Sequence, residues 1–495
     1  MALEISRAKI DDMYPFRVTL ASSFLVTRKL KQNNGANTMV QNPELEQAEN
    51  VIEEQKLEDG VITLVLTADN HLGYTTSNQP PRKRELRKQQ LRHAFQQATD
   101  FAIDQGVDLF VQAGDLFDTT NPDEQDRSFV AERLAQLRHA HIRTLAIGGM
   151  HDTSIETTSA LDGAKTDFAF STPAPQLSYA RLGALHYFAR SSDTSQTQNA
   201  VQAQEGKHLE AVVVEIRGTL VGICGLSVVA GQEGDPLENL RSHSDLERVA
   251  IPILILHTPV EGLGTETSLE DIHAQVRQSS IANQSMFRYI LAGYHHAYQH
   301  LSIGQSDLIV AGATQHIDFS DPDDEPGFVY LGLAADGIHW CKHVAVESLH
   351  LRRLVVPAKE LMQQDTKADH TDITENILER LRPLCAEDAM VQLRFEGELT
   401  REHYHQLDFN RIRHYGEEHC FALSIDDSAL SFRSEQEIIS SIDGQERSEY
   451  RDERFSPREE LITIADEWID AAPDEEERNA LQATKEVLLA ALRQM

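Results

Sequence analysis

Carboxylates and imidazoles recur at one kind of position in this chain. Asp69 and His71 follow the apolar run TLVLTA, Asp115 and Asp118 follow LFVQAG, His151 and Asp152 follow LAIGGM, His257 follows PILIL, and His295 and His296 follow ILAGY. A single His after an apolar run is most often a hydrogen-bonded loop residue, because His is commonly half-buried. Five such endings call for a shared cause. If the runs are strands of an α/β sheet, their C-terminal ends gather along one edge, where ligands bind. Carboxylate plus imidazole, with no thiolate, suits manganese, iron or zinc and is poor for copper(I). Two such ions about 4 Å apart, bridged by one carboxylate, can hold a phosphodiester, activate water and stabilise the leaving oxygen. The bridging acid needs a tight turn preceded by Gly, and AGDLFD offers Asp115 there.

The elements that must position these residues follow from patterning. Between residues 61 and 347, short runs rich in Val, Ile and Leu alternate with helical stretches such as Leu86 to Gln105, which predicts an α/β domain. From 348 to 430 the pattern changes. VQLRFEG alternates like a half-exposed strand, and DITENILERLRPL opens with a capping pattern at Asp372 and Glu375, predicting a small α+β capping domain. Residues 431 to 495 read as an acidic linker followed by two amphipathic helices. Ser456 and Pro457 start the first, and Leu481 to Leu492 stripe the second. Residues 1 to 60 are acidic, poor in aromatics and without periodicity, as expected of a mobile leader. The in-frame Met39 lies nearer the first strand, so an overlong gene start is expected. The polar stretch between Arg190 and His208 reads as a surface loop.

Composition narrows the classes. With 495 residues the chain is long enough for two or three domains. A net charge of -34 excludes a protein that coats nucleic acid through its average field, while leaving room for a local basic track. PRKRELRKQQLRH offers one, with Arg82, Lys83, Arg84, Arg87 and Lys88, although such a run reads equally well as a solvated helix face. The four cysteines, Cys224, Cys341, Cys385 and Cys420, are far apart with no CxxC pair, which predicts buried thiols rather than a disulfide framework. No segment has the apolar length of a bilayer crossing, and no signal peptide pattern opens the chain, so a cytoplasmic protein with no membrane partner is expected.

The ordered set DNHLG, GDLFD, GMHD, LHTP and GYHHA resembles the calcineurin-like metallophosphoesterases. The DNHLGY opening and the later domains are most similar to the SbcD-type DNA repair nuclease subunits. The similarity runs through motifs over roughly 61 to 350 and more loosely through VQLRFEGELTREHYHQLD. It implies a four-layer α-β-β-α sandwich with the small capping domain and C-terminal helices. It also implies a first ion held by Asp69, His71, Asp115 and His296. The second would take Asp115, His257, an Asn and a His, but Met150 and Tyr294 stand at the last two positions. A thioether is a soft ligand without an N–H. Tyr294 could ligate only as phenolate, which is costly near neutral pH given a reference pKa of about 10. His295 is a candidate substitute, one residue out of register.

In the family's roles, His151 assists the leaving group and Asp152 orients it. The resemblance further implies Mn²⁺, with one tight ion and a second weaker one, and DNA ends guided by the basic stretch. An SMC-like ATPase of the SbcC type would clasp the C-terminal helices, and a homodimer is allowed. The expected function is a metal-dependent exonuclease and endonuclease acting at DNA ends in double-strand-break repair or recombination. Met150 and Tyr294 motivate an alternative, a catalytically weakened subunit that binds and tethers DNA ends. A phosphodiesterase of another substrate class is also compatible, because fold alone does not fix substrate.

Overall fold

The apolar runs form strands that are buried on both faces, so each needs a layer above and a layer below. In the computed structural model, residues 60–76, 79–153, 173–188, 209–227, 234–238, 240, 244–263, 274–362, 372–432 and 482 are described, all within one unit, Leu57–Met495. The expected leader, the 190–208 loop and, apart from Gln482, the C-terminal helices lie outside the described residues.

The first half contains β1 (Ile62–Thr67), α1 (Pro81–Gln105), β2 (Leu109–Ala113), α2 (Glu124–His139), β3 (Arg143–Ile147), α3 (Gln176–Arg181) and β4 (His186–Tyr187). Then come β5 (Ala211–Ile216), β6 (Thr219–Ser227), β7 (Ile251–His257), α4 (Gln278–Asn283), β8 (Tyr289–Gly293), β9 (Gln299–Ile303), β10 (Ser306–Val310), β11 (Gly327–Leu333) and β12 (Ile338–Ala345). The last part holds β13 (His350–Pro357), α5 (Ala358–Met362), α6 (Ile373–Leu381), β14 (Ala389–Leu399), α7 (Arg401–His405), α8 (Phe409–His419) and β15 (Ala422–Phe432).

Two six-stranded sheets carry the first part, in the orders β12-β11-β1-β2-β3-β4 and β5-β6-β7-β8-β10-β9. Their centres are parallel: β1 pairs with β2 and β2 with β3, while β6 pairs with β7 and β7 with β8. Strand alternation builds the layers. Leu64, Leu66, Val111 and Ile147 face the other sheet and meet Ile223, Ile253, Ile255 and Leu291 in one core. Val65, Phe110 and Ala146 point the opposite way, onto Leu91, Phe95 and Leu134 of α1 and α2. The far face of the second sheet, with Leu254, Leu256 and Ile290, packs on Ile281 of α4 and on Phe287. The result is the four-layer α-β-β-α sandwich. Each fully buried Leu or Ile in it contributes roughly 1.5–3 kcal/mol.

Helix ends follow local chemistry. Pro81 sits at the start of α1, where its missing N–H costs nothing, and Gly106 closes the helix with φ 59°. Asp123 caps α2 by accepting from the Asp126 amide. Asp372 likewise caps α6 through Thr374. Glu375 does not complete a capping box, because its carboxylate pairs with Arg382 and Arg411 instead.

The chain after residue 348 forms a third sheet, β13-β14-β15. Its strands are all parallel and joined by helical crossovers, a more regular α/β arrangement than the alternation in VQLRFEG suggests. Val391, Leu393 and Phe395 pack on Ile377, Leu378 and Ile412. One expectation is overturned here. Cys385 and Cys420 are joined in a disulfide, with Cα atoms 4.8 Å apart, and only Cys224 and Cys341 are free. The chain brings the ends of α6 and α8 side by side, a proximity that sequence spacing does not encode. No helix among the described residues is long and apolar enough to cross a membrane.

Candidate metal centre

The loops that leave β1 and β2 are laced together. Asp69 N donates to Gly114 O at 3.1 Å, Asn70 N and His71 N both donate to Asp115 O at 2.9 and 3.0 Å, and Leu72 N donates to Leu116 O at 3.0 Å. Such lacing holds three of these residues in left-handed backbone: Asp69 at φ 48°, His71 at 44° and Asp115 at 51°, with Tyr294 at 81° in a third loop. Each such residue costs on the order of 1–3 kcal/mol and persists only where its surroundings over-determine it. Glycine makes the close approach feasible at Gly149, where a Cβ would fall on the Asp115 carboxylate.

Asp69, His71 and His296 bring one ligand atom each into a single group, as do Asp69, Asp115 and His257, and His71, Asp115 and His151; within each group those atoms lie within 4.8 Å of one another. The three groups share members and form one pocket. In every one of these histidines Nδ1 is already engaged: His71 with Asp118 at 3.2 Å, His296 with Asp321 at 2.7 Å, His257 with the Ala113 carbonyl at 2.7 Å and His151 with Asp118 at 3.4 Å. That leaves Nε2 to face the pocket, the arrangement in which an outer partner fixes tautomer and ring orientation of a metal ligand.

Two observations test whether a cation fits. His71 Nε2 is buried with no hydrogen-bond partner. His257 Nε2 faces Asp115 Oδ2 at 3.1 Å while its Nδ1 serves the Ala113 carbonyl. Those two facing acceptors need a cation between them, a proton on the imidazole or a metal. Without metal it is the proton. Burial opposes charge on His257, but Asp115 outweighs it and pushes the imidazole up to about 10. Burial likewise works against His296, yet Asp321 pushes it up to about 9. Burial also raises Asp115, but His257, His71 and His151 together hold it well below the usual carboxylate range. Asp69 is raised by burial.

His151 is different in access, since half of its side chain is exposed. Its hydrogen bond to Asp118 pushes it up to about 9, so it carries a proton at neutral pH. Its backbone N–H donates to Asp115 Oδ1 at 2.8 Å, which ties it to the ligand cluster.

Several expected roles change. Asp152 does not meet the His151 ring: its carboxylate accepts from Leu116 N at 2.9 Å, Phe117 N at 3.3 Å, Gly149 N at 2.8 Å and Gln176 Nε2. It joins two loops, and Asp118 is the residue that orients His151. His295 is not a substitute ligand, because its Nε2 accepts from Val260 N at 3.0 Å and it stands in none of the three groups. Burial lowers it to about 4, so it stays neutral. His295 and His296 both lie in the turn between β8 and β9, after Tyr294 at φ 81°, where His296 joins Asp69 and His71 while His295 turns to Val260. Met150 is 38% exposed. Tyr294 donates its backbone N–H to both oxygens of Asp69, at 3.2 and 3.0 Å, and burial raises its phenol, which remains protonated.

The basic stretch also divides. Arg87 is buried at 2% exposure and donates to Gln315 Oε1 and the His316 carbonyl, so it cannot meet a phosphate. Lys83 donates to the carbonyls of Glu417 and Cys420 at 2.8 and 2.7 Å, fastening α1 to the third sheet's helix α8, and Lys88 pairs with Asp123 at 2.6 Å. Arg82 is exposed and Arg84 half-buried. Sequence reasoning gave no role to Asp118 and missed Asp321 and Gln176. Asp118 has a signal, its fixed offset from Asp115. Asp321 has none, since it sits in an acidic loop that looks solvated.

The sandwich carries on its loop edge a cluster of carboxylates and imidazoles whose spacing could hold divalent metal. No protein-family profile matches the chain. The chain is similar to curated proteins of one kind. It is 36% identical over 104 residues to the DNA double-strand break repair protein Mre11 of Methanosarcina mazei, covering 21% of this chain and 16% of that protein. It is 22% identical over 335 residues to the Mre11 protein of Halobacterium salinarum, covering 68% of this chain and 70% of that one. The matched stretch thus spans about a sixth of the first relative's length, 16%. Among solved structures, a dimetal phosphatase from Danio rerio overlaps 58% of this chain and 100% of its own at 13% identity, with a TM-score of 0.34.

Proposed function

We propose that this chain is the nuclease subunit of a DNA double-strand-break repair complex, hydrolysing phosphodiester bonds at DNA ends with Mn²⁺. The observation that carries the reading is a pocket of clustered carboxylates and imidazoles, with an orphaned His71 Nε2, in a chain similar to an Mre11 protein over 68% of its length. Divalent ions bound there would polarise the phosphate and lower the pKa of water. Asp69, His71, Asp115 and His296 would hold the first ion, and Asp115 with His257 would contribute to a second. His151, protonated and half exposed, would give its proton to the departing 3′ oxygen, while Asp118 keeps the ring turned towards it. Arg82 and Arg84, whose side chains have no hydrogen bond or ion pair among the described residues, would meet the DNA backbone. An SMC-like ATPase of the SbcC type is the expected partner.

Comparing hydrolysis of bis-p-nitrophenyl phosphate, the corresponding monoester and linear duplex DNA tests the substrate class. Activity on duplex DNA and the diester, with little on the monoester, is expected; a preference for the monoester contradicts the reading. A second reading rests on Met150 and Tyr294, which supply neither a hard oxygen nor an imidazole to the second ion. It makes the protein an end-tethering subunit holding one tight ion, and elemental analysis finding two tight ions per chain rejects it.

A further inference from the structure

The ligand His296 is aimed from outside the sandwich. Its Nδ1 meets Asp321 Oδ1 at 2.7 Å. The other oxygen of Asp321 accepts from the amides of Ile317 and Asp318, the latter at 3.3 Å. Both oxygens are therefore committed, and the direction of the carboxylate is set by the conformation of residues 311–326, the connection from β10 to β11. Two arginines grip that connection. Arg87 of α1 holds it at Gln315 and at the His316 carbonyl. Arg353, on β13 of the third sheet, holds the part that carries Asp321. Its Nη2 donates to the carbonyls of Phe319, at 3.1 Å, and of Asp321 itself, and its Nη1 pairs with Asp323. Its Nε donates to Gln392 of β14 at 3.2 Å, which fixes the guanidinium in its own sheet.

We propose that Arg353 is a positioning residue for the metal ligand His296, so that the third sheet sets the affinity of the metal pocket through the Asp321 loop. The physical reason is the planar fork. One rigid guanidinium spans two loop carbonyls and a carboxylate while anchored to its own sheet, a combination that the single ammonium of Lys cannot reproduce. With the fork gone, the Asp321 carbonyl is released and the carboxylate on the same residue loses its fixed direction. The imidazole it holds then has to be ordered at the moment of metal binding. Displacement of the third sheet relative to the sandwich would have the same effect, making metal affinity a readout of where that sheet sits.

The inference rests on the reading that His296 ligates metal, and the experiment separates the two. Mn²⁺ binding to the 495-residue chain is titrated by the loss of the free-ion electron paramagnetic resonance signal, with folding checked by circular dichroism. The chains compared are the unaltered protein, Arg353→Ala, Arg353→Lys, Arg352→Ala and His296→Ala. Arg352 is the control: it lies on the same strand and donates to Leu384 O at 2.9 Å, away from the loop. Arg353→Lys keeps the stem and charge and serves if the alanine variant fails to fold. Removal of an outer partner of a metal ligand typically weakens binding about 10–100-fold. Arg353 acts one bond further out, so both Arg353 variants are expected to weaken Mn²⁺ about tenfold, with Arg352→Ala unchanged and His296→Ala weaker than either. If His296→Ala weakens binding but folded Arg353 variants match the unaltered protein, the inference is overturned and the ligand assignment stands. If His296→Ala leaves binding unchanged, or the unaltered protein takes up no Mn²⁺, both are overturned.

Discussion

Each pocket imidazole is held by Nδ1 and offers Nε2, and the holders are Asp118, Asp321 and a backbone carbonyl. His151 shares the pattern but is half exposed, which suits the proposed role of proton donor better than that of ligand. His151→Gln should lower the cleavage rate by about 10²–10⁴ while leaving Mn²⁺ affinity unchanged; parallel rate and binding measurements check this, and a matching loss of affinity would make His151 a ligand instead. The second-ion position is the residue-scale weak point. Restoring a hard oxygen and an imidazole with Met150→Asn and Tyr294→His should tighten the second Mn²⁺ by at least about tenfold, the low end of what well-placed ligand-shell changes do. Unaltered stoichiometry across an Mn²⁺ titration would show that neither position faces that ion.

Protons and metal compete for the same atoms. His257 near 10 and His296 near 9 are charged at pH 7 when no metal is bound. Because both values lie above the ordinary 6.5, this charge stabilises the metal-free chain fully below pH 6.5 and is lost as pH rises through 9 to 10. Metal binding has the opposite sign, since imidazole must give up its proton to ligate. Calorimetric titration at pH 7 in buffers of different ionisation enthalpy should therefore register proton release, and apparent affinity should rise with pH towards 9. Buffer-independent heats would contradict the protonation states assigned here.

At the scale of elements, the pocket consists of strand ends held by loop-to-loop bonds. Asp152 is the clearest case, a fully buried carboxylate that accepts the amides of Gly149, Leu116 and Phe117. Asp152→Ala strands these donors and should cost about 1–3 kcal/mol for each buried group left unpaired. The denaturant midpoint reads this out, and an unmoved midpoint would mean that water or a neighbour replaces the carboxylate.

What sequence could show at this scale was the strand ends. The short β-branched runs and the Asp or His after each are local, so an α/β domain and the strand-end places of Asp69, Asp115 and His257 are legible, whereas the four-layer sandwich is implied only by the family resemblance. Partners brought close by topology were not. Asp321 reaches His296 across a long connection, Cys385 meets Cys420 where two helices end, and Arg87 turns inward from a run that looks uniformly basic. His295 and His296 part in the turn after β8, whose course only the backbone shows.

For the whole molecule, a net charge of -34 means that DNA, if it is the substrate as proposed, has to be engaged locally. The pocket neutralised by divalent ions and the exposed start of α1 are the places where that can happen. The third sheet is tied to the sandwich by Lys83 and Arg353, and the Arg353 tie reaches Asp321, the partner of His296. On the proposed function, the Asp115 cluster cleaves DNA with metal. Degradation of end-labelled linear duplex DNA across an Mn²⁺ titration, with Asp115→Ala as the control, tests it most directly. Cleavage that rises with Mn²⁺ and is abolished in the control is the predicted result. Cleavage that persists in Asp115→Ala, or DNA bound but left intact at every Mn²⁺ concentration, would contradict it.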